Sequence, residues 1–540
     1  MGSLIAASFA LYCFASWESI SVDLAPWNAI ALFYELDHRT LIFNRWLTCI
    51  IGCLIPVGAF NFLNKMNTNK KMKEAFGDAH FASVFEINKA NLFGKEGVVI
   101  GQAHGKILRV PGFESVLLAA PSGSGKTASI AIPNLIEHNG SAIINDLKGE
   151  LYRITARYRA EQDQNKCYLF NPMDDEIQDF YNPFFYVRED TNKQVDDLLV
   201  IAKALIQENK LGDGFWYQAS RELFILLSLY LLESKGTATL AEVYDLSKVP
   251  KLHRFVMGAL VQVNLRHSED LKERVGNFSA NGLPFTTEML NQNTQSFAET
   301  PDETRLNVLK DFHSRLSFLM SLSIRNATSQ NTFDFRNLRK EKMSIYIQIP
   351  QSDKELFSPL LTIFWAQVAR MLTKNEPNII DEPHAVLCLL DEFGMVGKID
   401  AIKDSLSTLR SYRVRFVIIV QYLNQIIATY GRENSDSFLN NTKTKIYFSA
   451  TNLQDAKNIS ETLGVRAVKI ESRSVNAGSF TQSGHVTHSQ NYQSVPLMRP
   501  GEIMSLDEKQ SIIVVAGHPP IKAKKVFWFK SNKYKKLLGK

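Results

Sequence analysis

Short apolar runs closed by turn residues recur along this chain and alternate with segments of helical spacing. Gly97–Gly101 and Lys106–Val110 predict a hairpin. Buried strands are predicted at Ser115–Ala119, Ser141–Asp146, Lys166–Phe170, Met343–Ile349, Val386–Leu390, Arg415–Val420, Lys445–Ser449 and Ser511–Val515. Strands alternating with helical stretches argue for a parallel sheet with crossover helices. From about Arg188 to Arg336 the period becomes helical, over residues 193–207 and 215–233, before a polar stretch, Asn277–Thr304. This region is expected to be a mostly helical insertion between strands. Its aromatic triplet Phe215–Tyr217 fits helix-core packing better than base stacking. A further helix is predicted at Phe357–Leu372. The Ser-, Asn-, Gln- and Gly-rich stretch Glu471–Ser494 predicts a mobile loop or loose hairpin.

At the other end, Leu4–Trp17 is a short apolar run without a basic leader, and Trp46–Leu63 is 18 residues without charge. The second is long enough to cross a bilayer. Lys65, Lys70, Lys71 and Lys73 follow it and predict that side to be cytoplasmic. The pattern predicts two spans with a short external loop and everything from Lys65 onward inside. A cleaved signal peptide fits less well, because a basic n-region and a small-residue cleavage site are missing.

Composition changes this picture little. Among 540 residues, 45% are hydrophobic and 21% charged, as expected of a mostly globular chain with room for several domains. A net charge of +6 does not by itself imply nucleic acid, although lysines cluster after the second span and at the C-terminus. Five cysteines and eleven histidines are scattered without metal-ligand or disulfide spacing, which argues against both and for a reducing compartment.

The chemistry centres on Ala120-Pro-Ser-Gly-Ser-Gly-Lys-Thr127, a phosphate-loop pattern with Ala at the usual first glycine. It follows a predicted strand and opens a predicted helix that Pro133 limits or kinks. There backbone amides and a helix N-terminus favour phosphate oxygens. Ser122, Gly123, Ser124 and Gly125 form the cradle, Lys126 reaches the β- and γ-phosphates, and Thr127 ligates Mg²⁺. Some 265 residues later a buried strand delivers Asp391 to the metal shell and Glu392 to polarise water. Asp146 ends another strand ahead of Lys148-Gly-Glu150. Gln421 ends the strand after Arg415 and is placed to sense nucleotide or orient water. Arg410, Arg413 and Arg415 form a basic cluster that is either a solvated turn or a source of an arginine finger.

The ordered set resembles the type IV secretion coupling proteins (TraG/TraD-like). The resemblance rests on two N-terminal spans, the phosphate loop, Asp146-Leu-Lys-Gly-Glu150, the helical insertion, Asp391-Glu392 and Gln421. Smaller pieces are Gly77-Asp-Ala-His80, Ile132-Pro-Asn-Leu135, Tyr181-Asn-Pro183 and Arg499-Pro-Gly-Glu-Ile503. It implies a RecA-like nucleotide domain, an all-α domain on its membrane-distal side, and a hexameric ring with ATP between subunits. It further implies delivery of relaxase–DNA complexes or effector proteins to a secretion channel in the inner membrane, and it makes Arg410 the trans-acting arginine. The chain ends soon after its last strands, so cargo selection is expected from the helical insertion or from adaptors.

The expected fold is therefore α/β: a RecA-like P-loop domain with an inserted all-α domain and a two-helix transmembrane anchor. Residues 1–64 would be the anchor, 65–187 and 337–540 the nucleotide domain, and 188–336 the insertion. The expected function is a ring-forming inner-membrane ATPase using ATP and Mg²⁺, with partners in itself, the secretion components, its cargo and lipid. Two rivals remain: an FtsK-like DNA translocase, and a receptor that binds ATP without acting as a motor.

Overall fold

The computed structural model describes residues 77–174, 179–208, 214–258, 285–395, 398–406, 408–475 and 486–539. The apolar runs at residues 4–17 and 46–63 and the lysines at 65–73 lie outside them. The chain divides into two compact units. The smaller joins residues up to His80 to Ser460–Met498, and the larger comprises Phe81–Ile459 and Arg499–Lys540.

The larger unit holds eleven strands: β1 (Val98–Ala103), β2 (Lys106–Val110), β3 (Val116–Ala119), β4 (Ser141–Asn145), β5 (Lys166–Phe170), β6 (Met343–Ile347), β7 (Val386–Leu390), β8 (Val414–Val420), β9 (Thr444–Tyr447), β12 (Gln510–Val515) and β13 (Ile521–Lys524). They form one sheet in the order β2-β1-β13-β12-β9-β3-β8-β7-β4-β6-β5. From β9 to β5 all neighbours are parallel. Strands such as β3, β4, β7 and β8 are buried throughout their length. Burial on both faces is why their sequences read as continuous apolar runs rather than alternation.

The other half of the sheet is antiparallel, β9 to β12, β12 to β13, β13 to β1 and β1 to β2. The expected parallel sheet with crossover helices therefore accounts for one half of it, and the expected hairpin, β1 with β2, lies in the other. β13 is the strand that the apolar runs do not predict. Lys522 and Lys524 are exposed in it while Ile521 and Ala523 are buried, so half-buried alternation is disguised as a basic tail.

Between β5 and β6 the described residues form helices and short 3₁₀ turns and no strand. The helix Gly214–Lys235 buries Tyr217 and most of Leu223–Leu231, as expected of a core helix, while Phe215 stays exposed. The polar stretch from Asn277 yields the helix Phe285–Glu299 and the start of Asp302–Arg315.

The crossover from β6 to β7 is the long helix Lys354–Thr373. Among the described residues it is the one unbroken helix long and apolar enough to cross a membrane. Most of its apolar residues, Phe357, Phe364 and Trp365 among them, are buried in the protein. Tyr181-Asn-Pro183 ties it down. The Tyr181 hydroxyl donates to Gln367 Oε1 at 2.5 Å, Gln367 Nε2 donates to the Pro183 carbonyl at 2.9 Å, and Asn182 Nδ2 donates to the Ala238 carbonyl. The Tyr181 ring packs edge-on against Phe364 at 5.1 Å.

In the smaller unit β10 (Val465–Val475) and β11 (Val486–Pro496) pair antiparallel over eleven residues. Residues 471–475 and 486–494 of the stretch expected as a mobile loop or loose hairpin are strand. The amide of Ala467 donates to the Gly77 carbonyl and that of Ala79 to Val465, so Gly77-Asp-Ala-His80 extends the base of this hairpin.

Candidate nucleotide site at the C-terminal edge of the sheet

Parallel strands that all end on one side gather their following loops there, and in open α/β sheets that edge is where ligands bind. Here the loop after β3 is the phosphate loop. β8 lies between β3 and β7, so Gln421 leaves the sheet between the phosphate loop and Asp391.

Gly123 (φ +75°) and Gly125 (φ +81°) supply the left-handed conformations of the loop. Ala120 has no positive φ, is fully buried, and donates its amide to the Val420 carbonyl at 2.9 Å. A methyl group therefore fits where the pattern usually has glycine. The Ser124 hydroxyl closes the turn on the Pro121 carbonyl at 2.6 Å, and Ser122 and Gly123 face solvent. Beyond Lys126 the backbone makes a π-helical turn, Thr127–Ala131, before the α-helix Ile132–Glu137. Pro133 has no amide to donate, which accounts for the irregular start. Asn134, from Ile132-Pro-Asn-Leu135, accepts from the Val99 amide at 2.7 Å and donates to the Val99 carbonyl at 2.9 Å, locking this helix to β1.

Four predicted residues meet at the mouth of the loop. Lys126 Nζ lies 3.0 Å from Glu392 Oε1 and 3.9 Å from Asp391 Oδ1. The Thr127 hydroxyl donates to Asp391 Oδ2 at 3.2 Å. Asp391 Oδ1 is buried with no hydrogen-bond partner among the described residues. Burial, with repulsion from Glu392, holds the Asp391 carboxyl above its usual range despite Lys126. Burial also raises Glu392, but Lys126 and Lys148 outweigh it and hold that carboxyl below the glutamate range. Glu392 sits at φ +56°, a strained conformation for a residue with a side chain. A hydroxyl and a buried carboxylate, with one carboxylate oxygen unsatisfied, are a donor set suited to Mg²⁺, a hard cation that prefers oxygen.

Asp146 is on the same edge but is engaged differently. Its Oδ2 accepts from the Tyr152 amide at 2.8 Å, in the first turn of the helix Glu150–Glu161. Burial foremost, with Asp391 and Glu150 nearby, raises its carboxyl to about 6. Gln421 follows β8, and its amide donates to Gln425 Oε1 at 2.8 Å. Gln425 packs against Gly394, where a Cβ would come within 2.9 Å of it. Arg410 is not brought to this site. It precedes β8, on the opposite edge, and donates to Glu114 Oε1 at 2.9 Å with its side chain 60% exposed. The seven residues of β8 alone span about 20 Å and separate Arg410 from this site.

Several contributors are not read from sequence. Asn145 Nδ2 donates to the Asp391 carbonyl at 3.0 Å and fixes the strand end. Lys148 Nζ, 3.4 Å from Glu392, gives the acid a second cation; its place inside Asp146-Leu-Lys-Gly-Glu150 was the available signal. Lys525 Nζ donates to the Ser124 carbonyl at 2.9 Å from the far end of the chain, and its only signal was the alternation around β13.

A mixed α/β sheet with a phosphate loop facing an acid pair at its C-terminal edge defines a phosphate-loop nucleotide-binding protein. Residues 69–540 match the family model described as type IV secretory system conjugative DNA transfer. The chain belongs to that family, the type IV coupling proteins. Protein VirD4 of Rhizobium radiobacter is 27% identical over 95% of this chain and 72% of its own length. Conjugal transfer protein TraG of Escherichia coli is 25% identical over 86% of this chain and 78% of its own. The fold is that of the plasmid coupling protein TrwB. Its complex with the ATP analogue ADPNP superposes with a TM-score of 0.57 at 15% identity, over 83% of this chain and 93% of TrwB. TrwB is also known with ADP and Mg²⁺ at a TM-score of 0.58.

Proposed function

We propose that this chain is a ring-forming ATPase, anchored in the inner membrane by residues 1–64, that recruits cargo and couples it to a type IV secretion or conjugation channel. The observation that carries the ATPase reading is the Lys126–Glu392 pair at 3.0 Å beside the Thr127–Asp391 pair at 3.2 Å. Membership of the coupling family supports the cargo reading.

Lys126 exchanges Glu392 for phosphate oxygens when nucleotide enters. Glu392 thereby loses the cation that held its carboxyl down, becomes more basic, and remains oriented by Lys148 to polarise water. Thr127 and Asp391 hold Mg²⁺, which when bound neutralises charge on the β- and γ-phosphates. Asp146 shapes the acidic side of the site through the helix it caps. Gln421, coupled to Gln425 and the turn at Gly394, reads nucleotide state out to β8. Arg410 acts in trans, on the neighbouring subunit of a homohexamer. Residues 188–336 form the all-α domain and, with relaxase–DNA complexes or effector proteins as cargo, contribute to recognition.

The test is ATP turnover by the full-length chain over a wide concentration range, with and without DNA, against Lys126→Ala. Turnover per subunit that rises with concentration and vanishes in the variant supports the reading. Absence of turnover under conditions where rings form would leave a non-motor receptor.

A further inference from the structure

The last strand and the segment after it lie along the phosphate loop and the helix that it opens. Lys525 is buried, and its ammonium group donates to the Ser124 carbonyl at 2.9 Å while resting 3.6 Å above the Phe448 ring. Phe448 itself is tied to the loop's strand, its amide donating to the Ala119 carbonyl. No carboxylate among the described residues pairs with Lys525. Burial lowers its ammonium to about 8, with Glu508 and Asp507 opposing only in part. Two residues on, Phe527 lies against Gly125, where a Cβ would come within 2.7 Å of Cε1. Gly125 is thus required both by its φ and by this ring. Farther along, Tyr534 is fully buried and donates to Glu137 at the end of the same helix. The C-terminal segment is a strap along the whole loop-and-helix unit.

Its outward side is aromatic. The Phe527 and Phe529 rings lie 5.4 Å apart, Phe529 is 42% exposed, and Lys530 Nζ is 4.9 Å above the Phe527 ring. Phosphates held by residues 123–127 would leave the rest of a nucleotide projecting from a loop against which the Phe527 ring already lies. An aromatic face that any base can stack on is the chemistry required there.

We propose that this strap completes the nucleotide site: Lys525 is a positioning residue that holds the phosphate loop, and the Phe527–Phe529 pair receives the base. This rests on the nucleotide-binding reading above. Lys525 spends its hydrogen bond on the loop rather than on an acid, so the loop's shape depends on it whatever the ligand. Of a bound nucleotide Phe529 meets only the base, so its contribution vanishes for a ligand without one.

The full-length chain is titrated calorimetrically with Mg–ATP and with magnesium tripolyphosphate, which has neither base nor ribose. Wild type binds both and Lys126→Ala neither. Phe529→Ala is expected to weaken ATP about tenfold and to leave tripolyphosphate within about twofold, because the variant alters only an exposed ring. Lys525→Met is expected to weaken both ligands by the same factor. Phe529→Ala that shifts neither ligand, or both alike, overturns the base platform. A loss for ATP alone in Tyr422→Ala, an exposed ring just after β8, would move the base to the end of β8 and overturn it as well. Lys525→Met with wild-type affinity for both ligands overturns the positioning role. Wild type that binds neither ligand removes the parent reading and this one with it.

Discussion

The two edges of the parallel sheet carry similar charged residues and use them in opposite ways. At the C-terminal edge the partners are exchangeable. Glu392 is shared by Lys126 and Lys148, Lys126 also lies near Asp391, and one oxygen of Asp391 is left unsatisfied in a buried place. At the N-terminal edge two arginines, Arg109 and Arg159, have their charges consumed. Arg109 makes a forked pair with Glu137, which also accepts from Lys533 and Tyr534. Arg159, fully buried, donates to the carbonyls of Leu135, His138 and Gly140, to Ser344 and to Asn165. The saturated Arg159 is architecture, and the under-satisfied acid beside the phosphate loop is placed to take a ligand.

The largest effect should come from Glu392→Gln, which removes a base without removing the phosphate cradle. Turnover is expected to fall by about 10² to 10⁴, while ATP stays bound in an equilibrium assay. Wild-type turnover in this variant would mean that the exchangeable acid is structural after all, and the contrast between edges would fail.

Arg159→Met sharpens the other side of the contrast. It strands three carbonyls and leaves nucleotide residues untouched, so a loss of about 3 to 5 kcal/mol in denaturant unfolding is expected. ATP affinity of the folded fraction should be unchanged. A variant as stable as wild type would show that the saturated network at that edge contributes nothing.

Arg410 belongs by position to the structural edge and by proposal to catalysis. Its pair with Glu114 is exposed, and Lys443 lies 3.4 Å from the same acid, so Arg410→Ala should cost less than about 1 kcal/mol. Monomer ATP affinity should also stay level, while turnover at concentrations that assemble rings should drop by about 10³ or more. A variant with full turnover in rings would return Arg410 to the solvated-turn reading.

How much of this was legible in the sequence follows from how each piece is built. Strands buried on both faces announce themselves as apolar runs, and Lys126, Thr127, Asp391 and Glu392 come with fixed local patterns, so the parallel half and the acid pair were readable. β13 alternates with lysines and looks like a tail, so it was not, although the β1–β2 hairpin and β12 in the same antiparallel half were. Lys525 lies 401 positions from Ser124, and nothing local marks such a contact. Arg410 was readable as a cation, but only the strand direction of β8 places it on the far edge. The positive φ of Glu392 has no signature either, because its neighbours in sequence carry no turn pattern.

Asp146 gives the smallest and most pointed test, because it stands on the exchangeable edge yet does a structural task. Its carboxyl is raised to about 6 from an ordinary 3.8, mainly by burial. The folded chain therefore binds that proton more tightly than the unfolded chain does. The resulting contribution is fully favourable below about pH 3.8 and is lost as pH rises through about 6, so at pH 8 the ionised group costs on the order of 1 to 3 kcal/mol. Asp146→Asn keeps an oxygen for the Tyr152 amide and removes the charge. Urea unfolding should find the variant more stable than wild type at pH 8, with the advantage shrinking by pH 5. Because the charge is kept despite its cost, Mg–ATP affinity at pH 8 should fall in the same variant. If stability instead drops at pH 8 and affinity holds, the carboxylate is needed by the helix it caps, and Asp146 belongs with Arg159 among the residues whose charges are already spent.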